Sequence, residues 1–205
     1  MLLYAVAAAD TKGDAVDTPL EAHRCGGLTV FAEPRTRPPE QSTRELLGFG
    51  RILHQLWSYV PVLPIRFGTV VNDGDELDQL VAEHEAEWTD RLSAVTGRSE
   101  CIVHLPLPDR AGGERTGTDY LRRRATEVKE HDAEIAELHA LLAPYASEIT
   151  PLRSVRSQES RLSVLVHDEQ VEAARTAIQD WAVNRPGVRI TGPWPPFSFC
   201  REAGE

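Results

Sequence analysis

The sequence predicts an α+β fold in two domains, on three observations. Short runs of apolar and β-branched residues alternate with longer stretches whose apolar residues recur every three or four positions. Residues 109–117 (DRAGGERTG) are polar, glycine-rich and flanked by patterned sequence, which sets an N-terminal α+β domain at 1–108, a linker at 109–117 and a C-terminal domain at 118–205. The composition, 41% apolar and 26% charged over 205 residues, is that of a soluble globular chain that buries about 70% of its unfolded surface.

In order along the chain, Met1 to Ala9 is a compact apolar run and Gly27 to Ala32 (GLTVFA) a second, opened by the Gly26-Gly27 turn; both read as strands. Asp10 to Pro19 and Glu33 to Pro39 read as loops. Ser42 or Thr43 caps a helix to Trp57, with Leu46, Leu47, Phe49, Leu53 and Leu56 as its apolar positions and Gly48 and Gly50 weakening it. Val60 to Val71 (VPVLPIRFGTVV) carries Pro61 and Pro64, which remove ladder donors and point to an edge strand or bulge. Asp73 or Asp75 caps the next helix, through Leu77, Val81, Trp88, Leu92 and Val95 to a C-cap at Gly97, and Cys101 to Leu107 follows as a strand.

Beyond the linker, Leu121, Val128, Ile135 and Leu142 stand seven apart in a helix from Thr118 to about Ala143, a coiled-coil-like seam ended by Pro144. Leu152 to Ser157 and Arg161 to His167 read as strands. Asp168 caps a helix with Val171, Ala174, Ile178 and Trp181 inward, Val188 to Thr191 is the last strand, and Gly192 to Phe199 (GPWPPFSF) is an extended aromatic tail.

Charge and cysteine usage narrow the function. The net charge is −10, with −7 over residues 1–116 and −3 over the remainder, so neither half suits nucleic acid. The longest apolar run is far short of the roughly 20 residues that span a bilayer, so no membrane insertion is expected. Asp10 after that run, and no basic stretch before it, favour a first strand over a secretory signal, and a cytoplasmic protein is expected. Cys25, Cys101 and Cys200 form no C-x-x-C pair and read as reduced thiols.

No catalytic pattern is complete. Gly112 and Gly117 have phosphate-loop spacing but Thr118 stands where lysine belongs; Gly48-Phe49-Gly50 lacks a third glycine; His84-Glu85 begins a zinc-protease motif that Trp88 ends. Glu127, His131 and Glu134 share a helix face, best read as a solvated charged stripe, and no metal or cofactor is expected. Arg122-Arg123-Arg124 opens the long helix against its dipole, which calls for an acidic partner: Glu127 or Glu130 one turn on, or an acidic surface elsewhere. The tail's aromatics suit docking on their own protein or on another.

Three segments in order, Val62 to Val70 (VLPIRFGTV), Gly117 to Arg124 (GTDYLRRR) and Thr191 to Phe199 (TGPWPPFSF), resemble the gas vesicle GvpL/GvpF family, and the order of elements matches along the whole chain. The resemblance implies a non-catalytic accessory protein of gas vesicle assembly, with a ferredoxin-like C-terminal domain. It implies a gas vesicle shell protein as partner, whose polymerisation the chain chaperones or nucleates, with other gas vesicle accessory proteins as further partners, and a cytoplasmic location associated with vesicles. Arg66, Phe67, Gly68, Tyr120, Arg122, Arg123, Trp194, Pro195 and Phe197 are the motif positions expected to bind protein or shape the fold. The alternative reading is a small-ligand-binding or enzymatic protein on a ferredoxin-like scaffold.

Overall fold

The computed structural model describes residues 1–11, 18–35, 37–107, 117–152 and 159–200, and leaves out the side chains of 117–120 and 123–124. The chain is α+β and builds two four-stranded sheets. It divides into two compact units, Met1–Ser99 together with the segment from Trp194 onward, and Glu100–Pro193. The linker expected at 109–117 lies outside the described residues except for Gly117.

In the first unit the sheet order is β2 (Glu21–Cys25), β3 (Leu28–Glu33), β1 (Leu2–Ala8), β4 (Leu63–Pro64), with every pairing antiparallel. β1 is buried at every position from Leu2 to Ala7, as a central strand covered on both faces must be. β2 escapes the sequence reading because EAHRC is polar and exposed at the sheet's edge, without apolar alternation. The Gly26-Gly27 turn is glycine for two reasons. Gly26 has φ +57°, and a Cβ on either residue would meet the Glu85 carboxylate at 2.8 Å, which accepts the Gly27 N–H at 2.5 Å.

Helix α1 (Thr43–Trp57) starts where Ser42 accepts the Glu45 N–H, and seats Phe49, Leu53 and Leu56 against β1 and β3. Leu46 and Leu47, expected inward, are 52% and 60% exposed: Leu47 falls off the stripe that Phe49, Leu53 and Leu56 define at i, i+4 and i+7, whereas Leu46, at i−3, continues that stripe into the first turn of the helix, which the core does not cover. Helix α2 (Gly74–Val95) is capped by Asp73, which accepts the Glu76 N–H at 2.9 Å, and buries Leu77, Val81, Trp88, Leu92 and Val95 as the periodicity predicts. Gly97 ends this stretch with φ +69°.

The second unit runs β5 (Arg98–Pro106), α3 (Gly117–Leu142), β6 (Ala146–Leu152), β7 (Glu159–His167), α4 (Val171–Ala182) and β8 (Arg189–Trp194), in the sheet order β6-β7-β5-β8. Cys101, Val103 and Leu105 of β5 and Leu162, Val164 and Val166 of β7 form one apolar face beneath both helices. A 3-10 turn, Asp168–Gln170, precedes α4. β8 continues through Gly192 to Trp194, so the extended tail begins later than the sequence suggests, and Phe197–Phe199 closes it as a 3-10 turn rather than an extended run.

The seam of α3 is buried only in its second half. Ile135, Leu138 and Leu142 pack in the core, while Leu121 and Val128 are 67% and 45% exposed. A 26-residue helix is about 39 Å long, whereas the nine-residue strands beside it reach about 30 Å, so its first turns outrun the sheet. The end of α4 is clamped to α3 through Glu137, whose carboxylate accepts both the Trp181 indole N–H and Arg185. The Arg185 guanidinium also lies 4.1 Å over the Trp181 ring.

Away from that core a polar ladder crosses three strands. The buried His104 places Nδ1 3.0 Å from Glu159 and Nε2 3.1 Å from the Thr191 hydroxyl, and Arg189 donates to both Glu159 oxygens. A carboxylate only accepts, so Nδ1 carries a proton, and in the neutral imidazole Nε2 accepts from Thr191. The hydrogen bond from His104, and then Arg189, hold the Glu159 carboxyl below its ordinary range. A lowered pKa in the folded state stabilises the fold above the ordinary carboxylate value and loses that contribution as pH falls. Thermal melts of wild type and Glu159→Gln should therefore differ most near neutral pH and converge below about pH 4.

Candidate functional site

The site in the first unit begins with an aromatic column. Tyr4 of β1 stacks on Phe49 of α1 with ring centroids 4.3 Å apart, and Phe67 meets Phe49 edge-on at 5.2 Å. The Tyr4 hydroxyl donates to Glu33, whose carboxylate with that of Glu45 flanks Arg35 at 2.9 and 2.8 Å. Burial, and then Glu33, push the Tyr4 phenol above its ordinary pKa, so it stays protonated and donates. The segment after β4 is stitched to β1: the Ile65 N–H donates to the Tyr4 carbonyl at 2.8 Å, and the Leu3 N–H to the Thr69 carbonyl at 3.0 Å. Between these points Arg66 to Thr69 makes a turn closed by the Thr69 N–H on the Arg66 carbonyl, with Gly68 at φ +95°. That is the third position of a type II turn, where glycine is required.

The C-terminal segment packs in the same unit. Trp194 lies edge-on to His54 at 6.0 Å, Pro195 and Pro196 are buried, and Phe199 is buried in turn. The Phe199 carbonyl accepts from Arg91 through Nε at 3.0 Å and through Nη2, and the Cys200 thiol donates to the Pro196 carbonyl at 3.0 Å. Phe197 is left 41% exposed.

These pieces enclose an open apolar groove of about 650 Å³. Helix α1 supplies Leu46, Phe49 and Gly50; α2 supplies Leu80, His84 and Trp88; the motif segment supplies Leu63 to Phe67 and Thr69; the tail supplies Phe197 and Cys200. Of the motif residues the sequence singles out, Arg66, Phe67 and Phe197 line the groove, Gly68 shapes the turn beside Phe67, and Trp194 and Pro195 belong to the segment that carries Phe197. Arg122 is exposed on α3 in the second unit, and the side chains of Tyr120 and Arg123 lie outside the described residues.

Sequence reasoning missed Leu46, Gly50, Leu80, His84, Trp88 and Arg91. His84, which the sequence offers only as the start of an interrupted zinc-protease motif, is half-buried against Trp88 at 5.4 Å. The signal available was the pair of glycines within α1: among the described residues no atom beyond the helix's own backbone and the adjoining residues lies within 4 Å of where a Cβ on Gly48 or Gly50 would sit, so packing among them does not require glycine. Among the described residues no group of three metal-ligating side chains comes together. All three cysteines are free, and burial raises Cys25 and Cys101 to about 11, which keeps both as unreactive thiols.

Two substitutions test the frame. Gly68→Ala should cost about 1–2 kcal/mol in urea unfolding, because alanine is strained at that φ. Arg91→Ala should speed hydrogen exchange in the 194–200 segment while shifting the global melt little, because it removes the anchor of a terminal segment rather than core packing.

Comparison with known proteins places this architecture. The family described as gas vesicle synthesis protein GvpL/GvpF matches residues 1–201. The chain is 29% identical over 170 residues to gas vesicle protein L of Streptomyces sp. (strain CB03234), which covers 70% of this chain and 64% of that protein. It is 29% identical over 184 residues to gas vesicle protein L1 of Halobacterium salinarum (strain ATCC 700922 / JCM 11081 / NRC-1), covering 70% of this chain and 65% of that one. The chain thus spans just under two thirds of the length of these two relatives. The crystal structure of GvpF from Anabaena sp. PCC7120 shares the fold with a TM-score of 0.81 at 15% identity, covering 98% of this chain and 96% of that one. With its two four-stranded sheets, its PIRFGTV turn and its PWPPFSF terminus, the chain belongs to the gas vesicle synthesis protein GvpL/GvpF family.

Proposed function

We propose that this chain is a non-catalytic accessory protein of gas vesicle assembly, which binds the apolar shell protein and chaperones or nucleates its polymerisation. The observation that carries the reading is the groove: about 650 Å³ in volume, mostly apolar in its lining, open to solvent and bordered by exposed Leu46 and Phe197. A monomer keeps such a surface for a partner, since exposing it costs solubility. A shell subunit with an uncovered apolar face aggregates before it reaches the wall, and a groove of this kind covers part of that face. The same reading makes the protein cytoplasmic and vesicle-associated. Among the described residues no helix is long and apolar enough to cross a membrane.

The two compact units are read as two domains. The order βαββαβ with sheet order β6-β7-β5-β8 supports a ferredoxin-like second domain. The PIRFGTV and PWPPFSF motifs serve the groove, and Tyr120, Arg122 and Arg123 are assigned to contacts with other gas vesicle proteins.

The groove's volume also falls within the range of small-molecule sites, roughly 300–1,000 Å³, which favours a ligand-binding protein as the second reading. Co-expression with a gas vesicle shell protein separates the two. The proposal expects soluble, co-purifying shell protein, reduced by Trp194→Ala and lost with the Leu46→Asp/Phe197→Asp double variant. Absence of co-purification together with a reproducible melting-temperature rise with a metabolite would support the second reading.

A further inference from the structure

We propose that the exposed first half of α3 binds an amphipathic α-helix of another protein, one whose apolar stripe is bordered by glutamate or aspartate. The inference rests on the assignment of Arg122 to contacts with other gas vesicle proteins and adds the chemistry of the partner.

The surface follows from the sequence of α3. Where the helix outruns its sheet, Leu121, Ala125 and Val128 recur at i, i+4 and i+7 on one side, and all three are exposed. The stripe is about 10 Å long and ends at Asp132, one turn beyond Val128. Helix formation alone does not ask for apolar residues there: lysine or glutamate would serve α3 as well as Leu121 and better than Val128. The seven-residue step from Leu121 to Val128 is that of a seam between two helices lying along each other. Residues 121–128 are inside α3, so their main-chain groups are taken up by the helix and offer no ladder for an extended strand to join.

Charge selects the occupant. Arg122 and Lys129 are exposed, also seven apart, and each follows a seam residue, so together they form one basic flank of the stripe. Among the described residues neither side chain makes an ion pair. Glu130 lies on the far side of the helix from Leu121, and Glu127, half-buried, on the side that Leu138 turns to the core. A partner helix with carboxylates beside its apolar stripe neutralises the flank with charge-assisted pairs, which set partner choice. A second copy fits poorly, because a two-fold antiparallel pairing of this stripe lays the Arg122 and Lys129 flank against its own equivalent. An anionic lipid surface would meet a chain of net charge −10.

The test uses the full chain and two fluorescent helical peptides with the same leucine and alanine stripe, differing only at the flanking positions, glutamate in one and lysine in the other. Anisotropy titration is expected to show the glutamate peptide binding roughly ten-fold more tightly. The Arg122→Glu/Lys129→Glu double variant should reverse that order. Leu121→Asp/Val128→Asp should abolish binding of both peptides with little change in melting temperature, since both positions are exposed. Binding of neither peptide, equal binding of both, or an order untouched by Arg122→Glu/Lys129→Glu would overturn the proposal. So would a concentration-dependent dimer lost in Leu121→Asp/Val128→Asp, or tighter binding to phosphatidylserine vesicles than to the glutamate peptide. Peptide binding lost in Leu46→Asp/Phe197→Asp but kept in Leu121→Asp/Val128→Asp would also overturn it, by placing the helix in the groove. Shell protein that co-purifies while neither peptide binds would overturn this inference and leave the assembly role standing.

Discussion

The contact between Tyr4, Phe49 and Phe67 is the constraint on which the first unit depends. Tyr4 lies on the central strand, Phe49 in the middle of α1 and Phe67 in the turn after β4, so three segments far apart in sequence are fixed by two ring contacts at 4.3 and 5.2 Å. Aromatic pairs of this kind contribute about 0.5–1.5 kcal/mol beyond the area they bury, and they also set orientation. Because Phe67 is seated on Phe49, the turn from Arg66 to Thr69 is held where its guanidinium stands at the groove's lip, and Gly68 supplies the φ that lets the chain return to β1. The glutamates flanking Arg35 secure the polar end of the same column.

The unit leaves apolar surface open at a cost that it could have avoided. Leu46 and Leu47 occupy exposed turns of α1, Gly50 weakens that helix, and Phe197 faces solvent although its neighbour Phe199 is buried and tied to Arg91. Each is a local departure from what stability alone favours, and Leu46, Gly50 and Phe197 converge on one groove. Departures that converge in space, where sequence and fold otherwise agree, mark a surface shaped for use. Family membership gives that use its setting in gas vesicle synthesis.

How far the sequence could be read depended on the kind of signal. Helix α2 was legible throughout, because Asp73 caps it, five apolar residues keep one period and Gly97 terminates it. The core strands β1 and β3 were legible from continuous apolar runs. β2 was not, since a polar edge strand owes its conformation to the hairpin with β3 rather than to its own residues. On α3 the heptad pattern was real, but periodicity does not reveal where the supporting sheet ends, so Leu121 and Val128 looked as buried as Leu142. The candidate site was half legible. Arg66, Phe67, Gly68 and Phe197 stood out as motif residues, whereas Leu80, His84, Trp88 and Arg91 join the site only through the packing of α2, which no local pattern encodes.

The central claim is that the groove of the first unit covers apolar surface of the shell protein. The most direct measurement is site-specific photocrosslinking during co-expression, with a photoreactive residue placed in turn at Leu46, at Phe197 and at Ala82 on the exposed side of α2. The account predicts shell-protein adducts from Leu46 and Phe197 and none from Ala82. Adducts of equal yield at all three positions, or none within the groove, would contradict it.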